Sequence, residues 1–488
     1  MKTQLRIRHL YGSIIGLAAA LLWPATCIAE PVEIGSRREL FVDRHLIDRL
    51  DGARLQLHHP RRAGVALKMD RPWEPKTGAY ITVFRDQSKY RMYYRGRPPL
   101  MPTPESREVV CYAESDDGIT WTRPNLGFFE VFGTRDNNVV LARVSASAVN
   151  FAPFVDTRPG VPSSERYKAI GGLPPAGLFA FVSADGLRWK KMSDRAIITR
   201  GKFDSQNNAF WSGSEQCYVC YFRTFKDGVR WISRATSQDF LHWETPVEMD
   251  FGDAPSEHLY TNQTEPYFRA PHIYLGLAAR FMPGRRALND AQEKQIGIPE
   301  LENYRHLRGA ISDCVLLSSR GGNRYERTFL ESLLRPGGDK QDWVARSNYL
   351  ARGIVPTGDR EMSVYVKRHF GQPTAYIERL TLRIDGFASV RAPYRGGQMV
   401  TRLMTFSGRQ LVINYATSAA GDIRVEIQNE AGKVIPGFGV NDCHRIIGDE
   451  IERTVSWRSG SDVSKFAGQP LRLRFVMKDA DLYSIQFE

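Results

Sequence analysis

The 488-residue sequence predicts an all-β fold: a five-bladed β-propeller followed by a C-terminal β-sandwich. Three observations predict it. A short turn phrase recurs along the first four hundred residues, an apolar run precedes each copy, and the pattern changes after Gly397. The phrase is Ser115-Asp116-Asp117-Gly118-Ile119-Thr120-Trp121, and it returns as Ser183-Ala184-Asp185-Gly186-Leu187-Arg188-Trp189. A third copy is Ser237-Gln238-Asp239-Phe240-Leu241-His242-Trp243. Weaker echoes run from Ser318 to Tyr325 and from Arg383 to Val390. The anchors Trp121, Trp189, Trp243, Tyr325 and Val390 are 68, 54, 82 and 65 residues apart. A unit that ends strand, turn, Trp at this loose period reads as one propeller blade, and five echoes give five blades. Asp-Gly supplies a tight turn between a blade's outer strands, and the Trp ring covers it.

The elements follow in chain order. Lys2, Arg6 and Arg8 precede the apolar stretch Ile14–Trp23 and the small residues up to Ala29, the pattern of a signal peptide over 1–29. The chain is therefore expected to be exported, periplasmic or extracellular; Pro24-Ala25-Thr26 before Cys27 is a poor lipobox, which speaks against a lipid anchor. Glu39–Val42 and Arg54–Leu57 read as short strands leading into the first blade. Blade one holds Tyr80–Phe84, Tyr90–Tyr94 and Val109–Tyr112; blade two begins near Phe151, blade three near Phe203, blade four near Thr261 and blade five at Ser347. Blade four carries a polar insertion, roughly Met282–Arg308. The propeller is thus assigned to 30–396 and the sandwich to 397–488, where Gln410–Tyr415, Asp422–Gln428 and Leu471–Met477 alternate apolar and polar residues.

Charge and cysteine content narrow the function. The net charge of +13 comes from scattered arginines, without a basic arm or a nucleic-acid module, and fits either an anionic carbohydrate as partner or the background of an arginine-rich proteome. No later apolar run reaches the length of a membrane span. Five cysteines remain after Cys27, an odd number that argues against a full disulfide framework. Cys217 and Cys220 lie three apart in a strand-like run, on opposite faces, and read as small buried residues.

A propeller gathers the starts of its inner strands around one channel mouth. The acids near those starts are Glu74, Asp156, Asp204, Glu257 and Glu361. Convergent carboxylates repel, so one can stay protonated while another is ionised, as glycosidic cleavage requires. Glu74, Asp204 and Glu257 are the catalytic candidates. Asn207, His258 and Asn262 add neutral donors beside them; Arg223, Arg269, Arg346 and Arg368 are clamps for an anionic group or neutralise the acids. Trp73 and Trp343 are candidate stacking platforms for a sugar ring. His258, His272 and His369 lack metal-ligand spacing, and no cofactor motif appears; a structural calcium among channel acids is the one ion the acids invite.

The turns together with the strand-start acids resemble the five-bladed propeller glycosidases of glycoside hydrolase families 32 and 43. The resemblance implies Glu74 of Trp73-Glu74-Pro75 as nucleophile or base, Asp204 as the stabilising middle-blade Asp, and Glu257 as the acid. The β-unit Gly397–Glu488 resembles the C-terminal sandwich of family 32. The motifs depart from family 32, where the first is of an Asn-Asp-Pro type and the second Arg-Asp-Pro rather than Phe203-Asp204-Ser205; its Glu-Cys pair is absent. The expected function is therefore a secreted glycoside hydrolase working by paired carboxylates. A non-catalytic carbohydrate-binding propeller and an envelope scaffold use the same residues differently.

Overall fold

In the computed structural model, residues 30–74, 77, 80–96, 108–142, 148–297 and 309–488 are described. The expected signal segment 1–29 and part of the blade-four insertion lie outside them. Five antiparallel sheets follow one another. Blade one comprises Ile81–Asp86, Lys89–Gly96, Val109–Ser115 and Val139–Leu141. Blade two comprises Ala152–Val155, Tyr167–Leu173, Gly177–Ser183 and Lys190–Lys191; blade three comprises Asn208–Ser212, Cys217–Lys226, Val229–Ser237 and Val247–Glu248. Blade four has an interrupted inner strand, Leu259–Thr261 and Thr264–Tyr267, followed by Ala270–Pro283 and Ala310–Ser319. The short helix Asp290–Gln295 stands in its insertion, with Asn289 and Gln292 forming a capping box.

Blade sheets are covered by neighbours on both faces, so their strands read as continuous apolar runs rather than alternating ones. Every residue from Cys217 to Arg223 is buried. The repeated turn has one construction. Ser115 Oγ accepts from Gly118 N at 2.9 Å and donates to Asp117 Oδ1 at 2.8 Å, which in turn accepts from Ile119 N and Thr120 N. Ser183 with Asp185, and Ser237 with Asp239, repeat it. The preceding blade grips the turn: Tyr365 of blade five donates to Gly118 O, and Tyr93 of blade one to Gly186 O. Trp121 packs edge-on against Tyr365, with ring centroids 5.5 Å apart, between blades one and five.

Blade five corrects the sequence expectation. Its inner strand, Tyr349–Leu350 and Val355–Pro356, is followed by Glu361–Arg368 and Tyr376–Arg383. The outermost strand is Arg61–Lys68, drawn from the N-terminal side of blade one. Closing the ring with a distant segment ties the first and last blades together. Inner strands also meet at this seam: Val83 N donates to Arg352 O at 2.7 Å and Arg352 N to Ile81 O at 2.9 Å. The last turn echo, at Asp385, does not lead to another blade strand. It leads to Ala388–Ala392, which pairs with the C-terminal strand Leu471–Phe487.

The remaining ten strands form one sheet. Glu39–Leu40 pairs with Leu471–Phe487, and Arg54–Leu57 pairs with Ala388–Ala392. The segments expected to enter blade one thus belong to the C-terminal unit, because their partners' unpaired edges lie there. The long strands Leu411–Asn429 and Leu471–Phe487 shift register between Thr417 and Asp422. Ile413, Ile423, Phe475 and Ile485, from either side of that shift, share one apolar core.

Asp385 is the hub between the two units. Its buried carboxylate accepts from Tyr267 OH at 2.9 Å, Arg269 Nη1 at 3.1 Å, Asn414 Nδ2 at 3.1 Å and Ser484 Oγ at 2.7 Å. Arg320, from the fourth turn echo, bonds Glu39 and Asp43. All five cysteines of the described residues are buried and free of disulfides.

Candidate active site

The residues just before each inner strand form the channel mouth. Tyr80, Asn150 and Asn348 stand there in left-handed backbone, with φ of 68°, 59° and 70°. Non-glycine residues pay for that conformation, and such strain gathers at functional sites. Tyr80 OH donates to Asp204 O at 3.3 Å, and Asn150 Nδ2 donates to Phe203 O at 3.0 Å, so blades one and two hold the blade-three loop. Glu108 accepts from Asn150 N at 3.2 Å and pairs with Arg95 at 2.5 Å.

Asp204 is the predicted acid that this mouth displays. Its side chain is 54 % exposed, and one oxygen is held by Arg223. Arg223 itself is 4 % exposed and lies over the Tyr260 ring, 4.9 Å from its centroid. Its Nε and Nη1 are buried with no hydrogen-bond partner. Arg346 Nη2 donates to Tyr260 OH at 2.6 Å, and Arg230 lies 5.3 Å from the same ring. Burial pushes the Tyr260 hydroxyl up, but Arg346, Arg223 and Arg230 outweigh it and hold it below the ordinary phenol range. His258 Nδ1 accepts from Arg230 N at 3.1 Å; burial and Arg230 hold its pKa down. Arg223, Arg346 and His258, singled out in the sequence, are thus brought together with Asp204.

Glu74 is not. Its side chain is fully buried, between blades one and five. Oε1 accepts from Tyr94 OH at 2.5 Å and Arg123 Nε at 2.7 Å; Oε2 accepts from Arg123 Nη2 at 2.9 Å and Arg71 N at 3.1 Å. Trp73 is buried beside it and donates to Asn138 Oδ1 at 2.9 Å, so it offers no sugar platform. Glu257 shares no partner with Asp204. Arg280 and Arg327 hold its two oxygens, at 3.1 and 2.8 Å, in a cavity of 690 Å³ that Trp343, Asp313 and Ser312 also line. That cavity adjoins the mouth through Ser312, whose Oγ accepts from Arg346 N at 3.4 Å.

Other candidates serve the fold. Asp156 follows its inner strand instead of preceding it, and its buried carboxylate takes Lys168 Nζ and Tyr218 OH, both at 2.6 Å. Asp86 with Tyr167 and Glu215 with Tyr274 repeat this contact between consecutive blades. Glu361 pairs with Arg379 at the start of the second strand of blade five. Arg269 is spent on Asp385, and buried Arg368 on Glu378, at 2.8 Å, and Asn348. Asn207 and Asn262 are fully enclosed: Asn207 donates to Phe203 O and Ser205 O, and Asn262 accepts from Thr264 N at 3.0 Å. Below the mouth the axis holds amides. Gln263 Nε2 donates to Gln206 Oε1 at 2.7 Å, and Gln206 Nε2 to Thr82 Oγ1 at 2.8 Å. The carboxylates expected to invite calcium are therefore not gathered there among the described residues.

Tyr80, Tyr260, Arg230 and Glu108 were missed from the sequence. Tyr80 and Tyr260 occupy strand-start positions equivalent to the acids that were chosen, so a search for any polar residue there would have found them. One more group meets elsewhere: Asp339, Asp342 and His369 bring ligand atoms within 4.8 Å of one another. His369 Nε2 lies 3.1 Å from Asp339, and Arg368 stands 3.5 Å from Asp342, a poor setting for a cation. At the opposite end of the channel, Phe84, Phe154, Trp211 and Phe268 line an apolar cavity of 470 Å³ with Glu265 and Arg352 at its floor. Burial pushes Glu265 up to about 7, against the pull of Arg352. No helix among the described residues is long and apolar enough to cross a membrane.

No protein-family model matches the chain, and no curated protein sequence matches it. Solved structures of similar fold include an N-acetylgalactosamine deacetylase from F. plautii, 13 % identical, TM-score 0.45, covering 67 % of this chain and 96 % of that one. A fructofuranosidase from Schwanniomyces occidentalis is 10 % identical, TM-score 0.36, over 87 % and 98 %. A GH62 α-L-arabinofuranosidase domain from Coprinopsis cinerea is 9 % identical, TM-score 0.40, over 68 % and 98 %.

Proposed function

We propose that the protein is a carbohydrate-active propeller that hydrolyses a glycosidic bond at the channel mouth, outside the cytoplasm to which its N-terminal segment would export it. The observation that carries the reading is Asp204, half exposed among Tyr80, Arg223 and Tyr260 where inner-strand starts converge. Hydrolysis needs a base for water and an acid for the leaving oxygen. Asp204 accepts the proton of the attacking water. Tyr260, its hydroxyl held low by surrounding arginines, protonates the leaving oxygen. Arg223 touches both groups and keeps them in register. The pairing of Asp204 with Glu74 and Glu257 is replaced, since each of those acids is committed to arginines elsewhere.

A second reading, a binding propeller without catalysis, is favoured by one fact: Asp204 also meets an arginine. One screen separates the two. Wild type, Asp204→Asn and Tyr260→Phe are incubated with neutral and acidic oligosaccharides and aryl glycosides, and released reducing ends are measured. Hydrolysis predicts release by wild type and a loss of about 100-fold or more in each variant. Equal release by all three overturns the site; binding without release supports the second reading.

A further inference from the structure

The second and third strands of blade three, Cys217–Lys226 and Val229–Ser237, meet in a hairpin turn at the mouth, and it carries an arrangement that the hydrolytic reading uses only through Arg223. Phe225 is 42 % exposed on it, so its ring is open to a ligand. Arg223 and Arg230 flank that ring, with guanidinium carbons 5.9 and 5.6 Å from its centroid. Arg223 Nε and Nη1 and Arg230 Nε are buried without hydrogen-bond partners. Buried donors left unmet are costly, and a guanidinium fork matches a planar or tetrahedral oxyanion. A half-buried Arg230 beside neutral His258 adds charge without a described carboxylate of its own.

We infer that the hairpin is a subsite for an acidic sugar unit, with its ring stacked on Phe225 and its oxyanion, a carboxylate or a sulfate ester, taken by Arg230 in front of the buried, unpaired edge of Arg223. This rests on the hydrolytic reading and names its substrate class. The aromatic face meets the C–H side of the sugar, while the two arginines meet its charge. Asp204, on the other edge of Arg223, sets where the neighbouring bond lies.

Calorimetric titration of the full chain with a galacturonate trimer, a sulfated galactose trimer and a neutral galactose trimer tests it, at 20 and 200 mM salt. Wild type is expected to bind an acidic trimer at least tenfold more tightly than the neutral one, with the preference shrinking at high salt. Arg230→Gln should lose that preference about tenfold, and Phe225→Ala should weaken acidic and neutral trimers alike. Whichever acidic trimer binds identifies the oxyanion. Circular dichroism of the variants, matched to wild type, excludes misfolding. Equal binding of neutral and acidic trimers, or an unchanged Arg230→Gln, overturns the subsite while the Asp204 reading stands if Asp204→Asn still abolishes release. Binding of no trimer, with no release in the oligosaccharide screen, overturns both.

Discussion

Glu74→Gln separates the fold from the resemblance more sharply than any other substitution. If Glu74 were a nucleophile or base, the change would abolish activity and leave stability nearly untouched. The structure predicts the reverse. Glu74 has no exposed side-chain surface, and its two oxygens accept four hydrogen bonds, two of them from Arg123. Glutamine replaces one acceptor by an N–H₂ group that faces donors, so two bonds are lost and the guanidinium keeps only exposed Asp70, 3.3 Å away, as countercharge. Hydrogen bonds to charged groups contribute about 1.5–3 kcal/mol, and breaking a buried pair costs about 3–5 kcal/mol. Arg123 is 15 % exposed and recovers some hydration, which favours the lower end, about 3 kcal/mol. That lowers the propeller's melting temperature by roughly 4 °C. Thermal unfolding by circular dichroism, with sugar release from oligosaccharides at 25 °C, checks it. A variant that melts with wild type yet releases no sugar would refute the structural role.

Three further outcomes follow from other parts of the fold. Asp385→Ala strips the acceptor from Tyr267, Arg269, Asn414 and Ser484, costing about 3–5 kcal/mol; calorimetry should show propeller and C-terminal unit melting separately. Gly353, at φ +131°, would place a Cβ 2.1 Å from Val83 O, so Gly353→Ala should pry apart blades one and five and lower the urea midpoint markedly. Burial pushes Lys367 down to about 7 although Glu74 pulls it up. The unfolded chain therefore binds a proton that the folded chain lacks between about 7 and the ordinary lysine value near 10.4, and stability rises with pH across that window. Lys367→Met should stabilise by an amount on the order of 4 kcal/mol at pH 6.5, and by progressively less up to pH 10; an equal gain at both pH values would contradict it.

The propeller was legible because its turn is local chemistry: Ser, Asp and Gly at fixed offsets bond their own backbone, so three copies stand out in one sequence. Ring closure was not legible, since Arg61–Lys68 carries no mark that its partner is Tyr376–Arg383, more than three hundred residues on. The Asp385 echo misled for a related reason: the turn residues are kept, but tertiary contacts send the next strand to another sheet. At the site, Asp204 was found because it begins its blade and stays open. Glu74 and Asp156 looked equivalent in sequence, yet Arg123 and Lys168, distant or unremarkable in the chain, neutralise them in the core. Tyr260 escaped notice because its chemistry arises from three arginines that converge only in space.

A crystal structure of Asp204→Asn soaked with an oligosaccharide that wild type cleaves tests the central claim most directly. The account predicts density for the sugar at the channel mouth, with a glycosidic oxygen beside Tyr260 and a ring against Phe225. Density instead in the apolar cavity of Phe84, Trp211 and Glu265, at the far end of the channel, would contradict it.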